Sequence, residues 1–134
     1  MGLENGIIVK SNRRKITRDM LPAAIVYPFD EDEPEIIYWR KNGGLRDAVI
    51  DHFCWRAASE KQIIFEIDTP EQVIELIEVI ASFLDEEYWE ENGNSIWDYK
   101  IIRRILIQNI INLALIQAFM YENPDVYLEF YDSY

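Results

Sequence analysis

A chain of 134 residues, 49% of them hydrophobic, is the size of one folding unit, because two separate cores would each be too small to hold. The 25 Asp and Glu against 13 Lys and Arg leave a formal charge of -12. That excess excludes general binding to nucleic acid or to an anionic membrane, since such affinity comes from cations displacing phosphate counterions.

One cysteine, Cys54, and one histidine, His52, exclude an intramolecular disulfide and a Cys-rich zinc site. The opening Met-Gly-Leu-Glu-Asn-Gly has neither the basic start nor the apolar run of a secretory leader, and Gly6 stands where a myristoylation motif wants Ser or Thr. A cytoplasmic protein without cofactor or metal is expected. The stretch from Ile105 to Tyr121 is uncharged but shorter than the roughly 20 residues of a membrane span. Its amides Gln108, Asn109, Asn112 and Gln117 would each need a partner in hydrocarbon, so a buried helix is expected there, and no membrane.

In chain order, Gly6-Ile7-Ile8-Val9-Lys10, Ala23-Ala24-Ile25-Val26-Tyr27 between Pro22 and Pro28, and the run from Glu35 to Arg40 read as strands. Between the first two lies a basic segment, Ser11-Asn12-Arg13-Arg14-Lys15-Ile16-Thr17-Arg18, expected as an exposed loop or short helical turn. Before the third comes the acidic loop Asp30-Glu31-Asp32-Glu33-Pro34. Gly43 and Gly44 break the chain, and a helical period follows from Leu45 to about Ala57. Gln62 to Ile67 alternates, with Ile63, Phe65 and Ile67 inward.

Thr69-Pro70-Glu71-Gln72 carries every helix-start signal at once: a cap, a proline at the first helical position and a capping-box partner. That helix turns Val73, Ile74, Leu76, Ile77, Ile80, Ala81 and Leu84 inward. The cluster Glu86-Glu87 with Glu90-Glu91 falls at a helix end, where the dipole opposes negative charge. Ser95 and Asp98 form another capping pair, before a long helix from about Ile96 to Tyr121 whose polar stripe is Lys100, Arg104, Gln108 and Asn112. Val126 to Tyr131 alternates once more, with Tyr127 and Tyr131 outward. The order predicts a single α+β domain over 1–134, a mixed or antiparallel sheet of about four to five strands, and three helices mainly on one face. The interval between Arg40 and Gln62 is long enough for a crossover through the first helix, which is expected to be right-handed.

The vocabulary of catalysis is sparse. His52 and Cys54 are two residues apart, about 200° around a helix, and cannot meet as a nucleophile pair. No P-loop, nucleophile elbow or dinucleotide fingerprint is present, and the acidic loop lacks the glycine and the twelfth-position glutamate of a calcium loop. Two interaction surfaces stand out instead. Glu71, Glu75, Glu78, Asp85 and Glu86 recur at helical spacing, about 5 to 6 Å between neighbours, so they could imitate a phosphate row and occupy a basic groove. Tyr38, Trp39, Tyr127 and Tyr131 would line an aromatic sheet face suited to protein contact or a homodimer. A rival reading is a small ligand-binding domain or enzyme that gathers Tyr38, Arg40, Lys41, Arg46 and a carboxylate in a pocket.

Tyr38-Trp39-Arg40-Lys41, with the Met1-Gly2-Leu3 start, the helix at Leu45 and the closing Phe130-Tyr131-Asp132-Ser133-Tyr134, resembles small phage and prophage proteins that lead a Tyr-Trp-Arg-Lys segment into a helix and end in an aromatic, serine-containing tail. The chain departs from that pattern at Leu45-Arg46, where the family has Ile-His, and at Ala48-Val49, where it has Trp-Phe. The resemblance implies a mobile-element context and assigns no activity. The expectation is a non-enzymatic interaction protein with a protein partner and no direct contact with nucleic acid.

Overall fold

A computed structural model of the chain describes residues 4–54, 62–92 and 99–133. Strand β1 (Glu4–Ser11) and strand β4 (Val126–Ser133) alternate along their length: Asn5, Ile7 and Val9 on one, Val126, Leu128, Phe130 and Asp132 on the other, are buried on a common face. They pair antiparallel over all eight residues, from Glu4 opposite Ser133 to Ser11 opposite Val126. Strand β2 (Glu35–Arg40) flanks β1, strand β3 (Ile64–Ile67) flanks β4, and the order across the sheet is β2-β1-β4-β3, antiparallel throughout. Among the described residues the sheet has four strands and is not mixed. Because β2 and β3 are its opposite edges and run antiparallel, the handedness rule for parallel crossovers has no application here.

Among the described residues four α-helices accompany the sheet: α1 (Gly43–Phe53), α2 (Pro70–Ala81), α3 (Glu86–Asn92) and α4 (Tyr99–Glu122). Leu45, Val49 and Ile50 of α1, with Val73, Leu76 and Ile80 of α2, join Ile7, Val9, Phe130 and Leu128 in one apolar core. Helix α2 starts as its sequence dictates: Thr69 Oγ1 accepts from the Gln72 amide at 3.2 Å, and Gln72 Oε1 accepts from the Thr69 amide at 3.3 Å. Two of its expected core residues, Ile74 and Ala81, are exposed instead, because the inward arc is narrower than the apolar arc. Gly43 and Gly44 open α1 rather than precede it. The turn before them is made by Lys41, at φ 55, and a Cβ on Gly44 would meet the Tyr88 hydroxyl of α3, so that the tyrosine would have to shift. Glu86 and Glu87 lie in the first turn of α3, behind the Asp85 carboxylate that accepts from the Glu87 amide at 3.0 Å. The helix dipole therefore favours both charges, the reverse of the expectation that placed them at a helix end.

Residues 23–27 form no strand. Ile25 is buried, and the backbone bonds of Val26 go to one side chain on α4: the Val26 amide donates to Asn112 Oδ1 at 3.1 Å, and Asn112 Nδ2 donates to the Val26 carbonyl at 2.8 Å. The same amide group reaches the Ile36 carbonyl of β2 at 2.9 Å. A side chain thus satisfies donors and acceptors that a sheet neighbour would otherwise take. Asn112 belongs to the buried face of α4 with Asn109, whose Oδ1 accepts from Trp39 Nε1 at 2.8 Å. Among the described residues α4 is the one helix long and apolar enough, by length and composition, to cross a membrane, yet Leu106, Leu113, Ile116 and Met120 pack it into the core. The expected helical residues 55–57, the Ser95–Asp98 cap and the chain ends at 1–3 and 134 lie outside the described residues.

Candidate functional site

The corner predicted to gather Arg40, Lys41 and Arg46 is divided by the fold. Arg40 and Lys41 are exposed at the end of β2, whereas Arg46 is 2% exposed. Its Nε and Nη2 donate to the two carboxylate oxygens of Asp132 at 3.0 and 2.7 Å, and its Nη1 reaches Asp47 at 2.9 Å. Burial alone pushes the Asp132 carboxyl up, but the Arg46 bonds, a 2.7 Å bond from Asn5 Nδ2 and the guanidinium charge outweigh it and hold the group below the usual carboxylate range. Arg46 is a structural ion-pair partner. A ligand pocket built on it has lost the donors it needed.

The sheet face turned away from the helices carries Tyr38, Tyr127 and Tyr131, all half-buried, as alternation requires. Trp39, expected among them, projects into the core with 3% exposure. A bulge between Ile7 and Ile8 brings Glu35 opposite Ile8, and the Tyr131 hydroxyl donates to Glu35 Oε2 across Gly6. Only glycine fits there, because a Cβ on residue 6 would overlap both Glu35 Oε2 and the Tyr131 ring. Burial raises the Glu35 carboxyl above its ordinary value; the bond from Tyr131 offsets part of this, and the charges of Glu33, Glu31 and Glu4 add to it. The Tyr38 hydroxyl is likewise bonded, to Glu4 Oε1 at 2.8 Å, and its ring stands edge-on to Phe29 at 4.7 Å. Tyr38 and Tyr131 thus have their hydroxyls committed within the chain.

The basic segment is not a free loop. With β1 and the acidic loop it lines a groove of about 890 Å³ that includes Lys10, Arg14, Lys15 and Arg18 opposite Asp32 and Glu33. Arg14 bonds Asp125 at 3.0 Å, Lys10 bonds Glu129 at 2.9 Å, and Arg18 donates to the carbonyls of Glu33 and Phe29 while its guanidinium lies 4.1 Å from the Tyr27 ring centre. Arg14 thus ties the segment to the residue before β4, Lys10 joins β1 to β4, and Arg18 closes the excursion between β1 and β2 on itself. The one sequence signal for them was a run of cations in an acidic chain.

Of the expected acidic row, Glu71, Glu75 and Glu78 share α2, whereas Asp85 and Glu86 fall beyond its end at Ala81, before and in the first turn of α3. Glu71, Glu75 and Glu78 are exposed along α2, opposite the Val73, Leu76 and Ile80 stripe that packs inward. On α1, Asp47 and Asp51 occupy the solvent side one turn apart, opposite Leu45, Val49 and Ile50. The two helices meet where His52 Nε2 lies 3.1 Å from Glu75 Oε1. Five carboxylates thus stand in two adjoining rows on one helical layer. His52 itself is exposed and Cys54 half-buried at the helix end, with no contact between them among the described bonds. Comparison with known protein families, curated proteins and solved structures finds no match to this chain.

Proposed function

We propose that this chain is a non-enzymatic, cytoplasmic interaction protein that binds a basic protein surface through the outer faces of α1 and α2. The observation that carries the reading is the double row of exposed carboxylates, Asp47 and Asp51 beside Glu71, Glu75 and Glu78, on the outer faces of α1 and α2. Carboxylates about 5 to 6 Å apart along a helix present a regular line of negative charge, and a surface that normally grips phosphates meets it with the same counterion release. A chain of net charge -12 also approaches a basic target quickly through its long-range field. The commitment of Arg46 to Asp132 counts against the rival ligand-pocket reading. A phage or prophage setting fits such a protein and rests on the resemblance at Tyr38-Trp39-Arg40-Lys41 alone.

Capture from bacterial lysate at low salt, with double-stranded DNA as competitor, tests the proposal. The reading predicts a nucleic-acid-binding protein that DNA displaces and that the variant carrying Glu71→Gln, Glu75→Gln and Glu78→Gln fails to hold. Capture that DNA and the triple variant leave unchanged contradicts it.

A further inference from the structure

The outward face of α4 carries a pattern that its packing on the sheet does not require. Ile107, Ile111, Ala114, Ala118 and Tyr121 recur at alternating steps of four and three residues, the spacing that keeps a seam turned toward a facing helix. All five are exposed: Ile107 is 36%, Ile111 45% and Tyr121 58% accessible, on the side opposite Leu106, Leu113, Ile116 and Met120. We infer that a second copy of this chain covers the seam, with two α4 helices packed antiparallel about a twofold axis near Ile111.

Charge selects that occupant and that direction. From Tyr99 to Tyr121 the sequence contains no Asp or Glu, so this face lets two chains of charge -12 approach without opposed carboxylates on the seam. The exposed arginines Arg103 and Arg104 stand near the start of α4 and Glu122 at its end. An antiparallel pair sets Arg104 near Glu122 of the partner subunit at both ends, whereas a parallel pair stacks arginine on arginine. It also brings the small Ala114 and Ala118 opposite the larger Ile107 and Arg104 of the partner subunit, which lets the helix axes approach closely. The seam from Ile107 to Tyr121 spans about 21 Å at 1.5 Å per residue, long enough for two heptads.

Sedimentation equilibrium tests this directly. The predicted result is twice the 16.0 kDa chain mass, reduced to one chain mass by Ile111→Glu with unchanged circular dichroism. A charge swap keeps the test open should that variant fail to fold: R104E and E122R each weaken the dimer at least several-fold, and together they restore it. Direction is read by disulfide trapping in a Cys54→Ser background. Mixed Arg104→Cys and Ala118→Cys chains cross-link to each other, while Ala118→Cys alone does not. A chain that stays monomeric at tens of micromolar, a dimer indifferent to Ile111→Glu, self-linking through Ala118→Cys, or a monomer that partitions onto phosphatidylglycerol vesicles through α4 overturns the inference.

Discussion

Arg46, in the first turn of α1, holds Asp132, near the end of β4, through two bonds of 3.0 and 2.7 Å inside the protein, with Asn5 of β1 bonded to the same carboxylate. This ties a helix to the two central strands by one buried pair. Removing one partner strands a charge in low dielectric, so Arg46→Met or Asp132→Leu alone is expected to cost about 3–5 kcal/mol in urea unfolding. The double variant should recover much of that, because it buries no unpaired charge. Since the folded state depresses the Asp132 carboxyl, its stabilisation is full above the unfolded value near 3.9 and is lost as pH falls through the lower folded value. Asp132→Leu should therefore flatten the acid limb of the stability profile, as measured by urea titration at successive pH values.

Glu35 works in the opposite sense. Its carboxyl is raised on folding, chiefly by burial, so the folded chain binds more protons than the unfolded one between the ordinary glutamate value and the raised one. Stability then falls as pH rises through that window. Glu35→Gln, which leaves an acceptor for the Tyr131 hydroxyl, should abolish this slope and leave the protein at least as stable as the parent at pH 7. Thermal unfolding between pH 4 and pH 8 checks it.

Gly6 is the hinge of the same arrangement. A methyl group at residue 6 would displace Glu35 and Tyr131 together, and Gly6→Ala is expected to destabilise by about 1–3 kcal/mol as overpacking does. Combining it with Tyr131→Ala should cost less than the sum of the two single changes, a coupling that denaturant titration resolves.

Asn112 fixes the segment that lacks a sheet neighbour. With Asn112→Leu, the Val26 amide and carbonyl and the Ile36 carbonyl all lose a partner, at a cost of about 1–3 kcal/mol for each buried group left unsatisfied. The loss is expected to be local as well as global. Hydrogen exchange should accelerate at Val26 well before it changes in β1 and β4.

Where the folding signal is local, it is readable in the sequence. Thr69 and Gln72 are three residues apart and make the capping box from their own side chains, so the start of α2 follows from spacing alone. The alternation of β4 needs only its own residues and a sheet to lie on. The segment at 23–27 reads as a strand because its apolar run is bounded by prolines, but its backbone partner is an amide 86 residues away. The same long-range contact moves Asn112 from an apparent polar stripe into the core and turns Ile107 and Ile111 outward. Among the site residues, Glu71, Glu75 and Glu78 are legible because a helical period places them opposite a buried stripe. Arg46 is not, because its partner Asp132 is fixed by sheet register 86 residues on. Trp39 follows from alternation instead: as the neighbour of Tyr38 in β2 it must enter the opposite, core face, where Asn109 accepts from its indole N–H.

The double row of carboxylates is the centre of this account, and the salt dependence of binding tests it most directly. Affinity of the parent chain and of the E71Q, E75Q and E78Q triple variant for a captured nucleic-acid-binding protein is measured by fluorescence titration across a range of salt concentrations. The account predicts that log affinity falls linearly with log salt, and that the triple variant binds more weakly with a shallower slope. Equal affinity and equal slope for the two chains would contradict it.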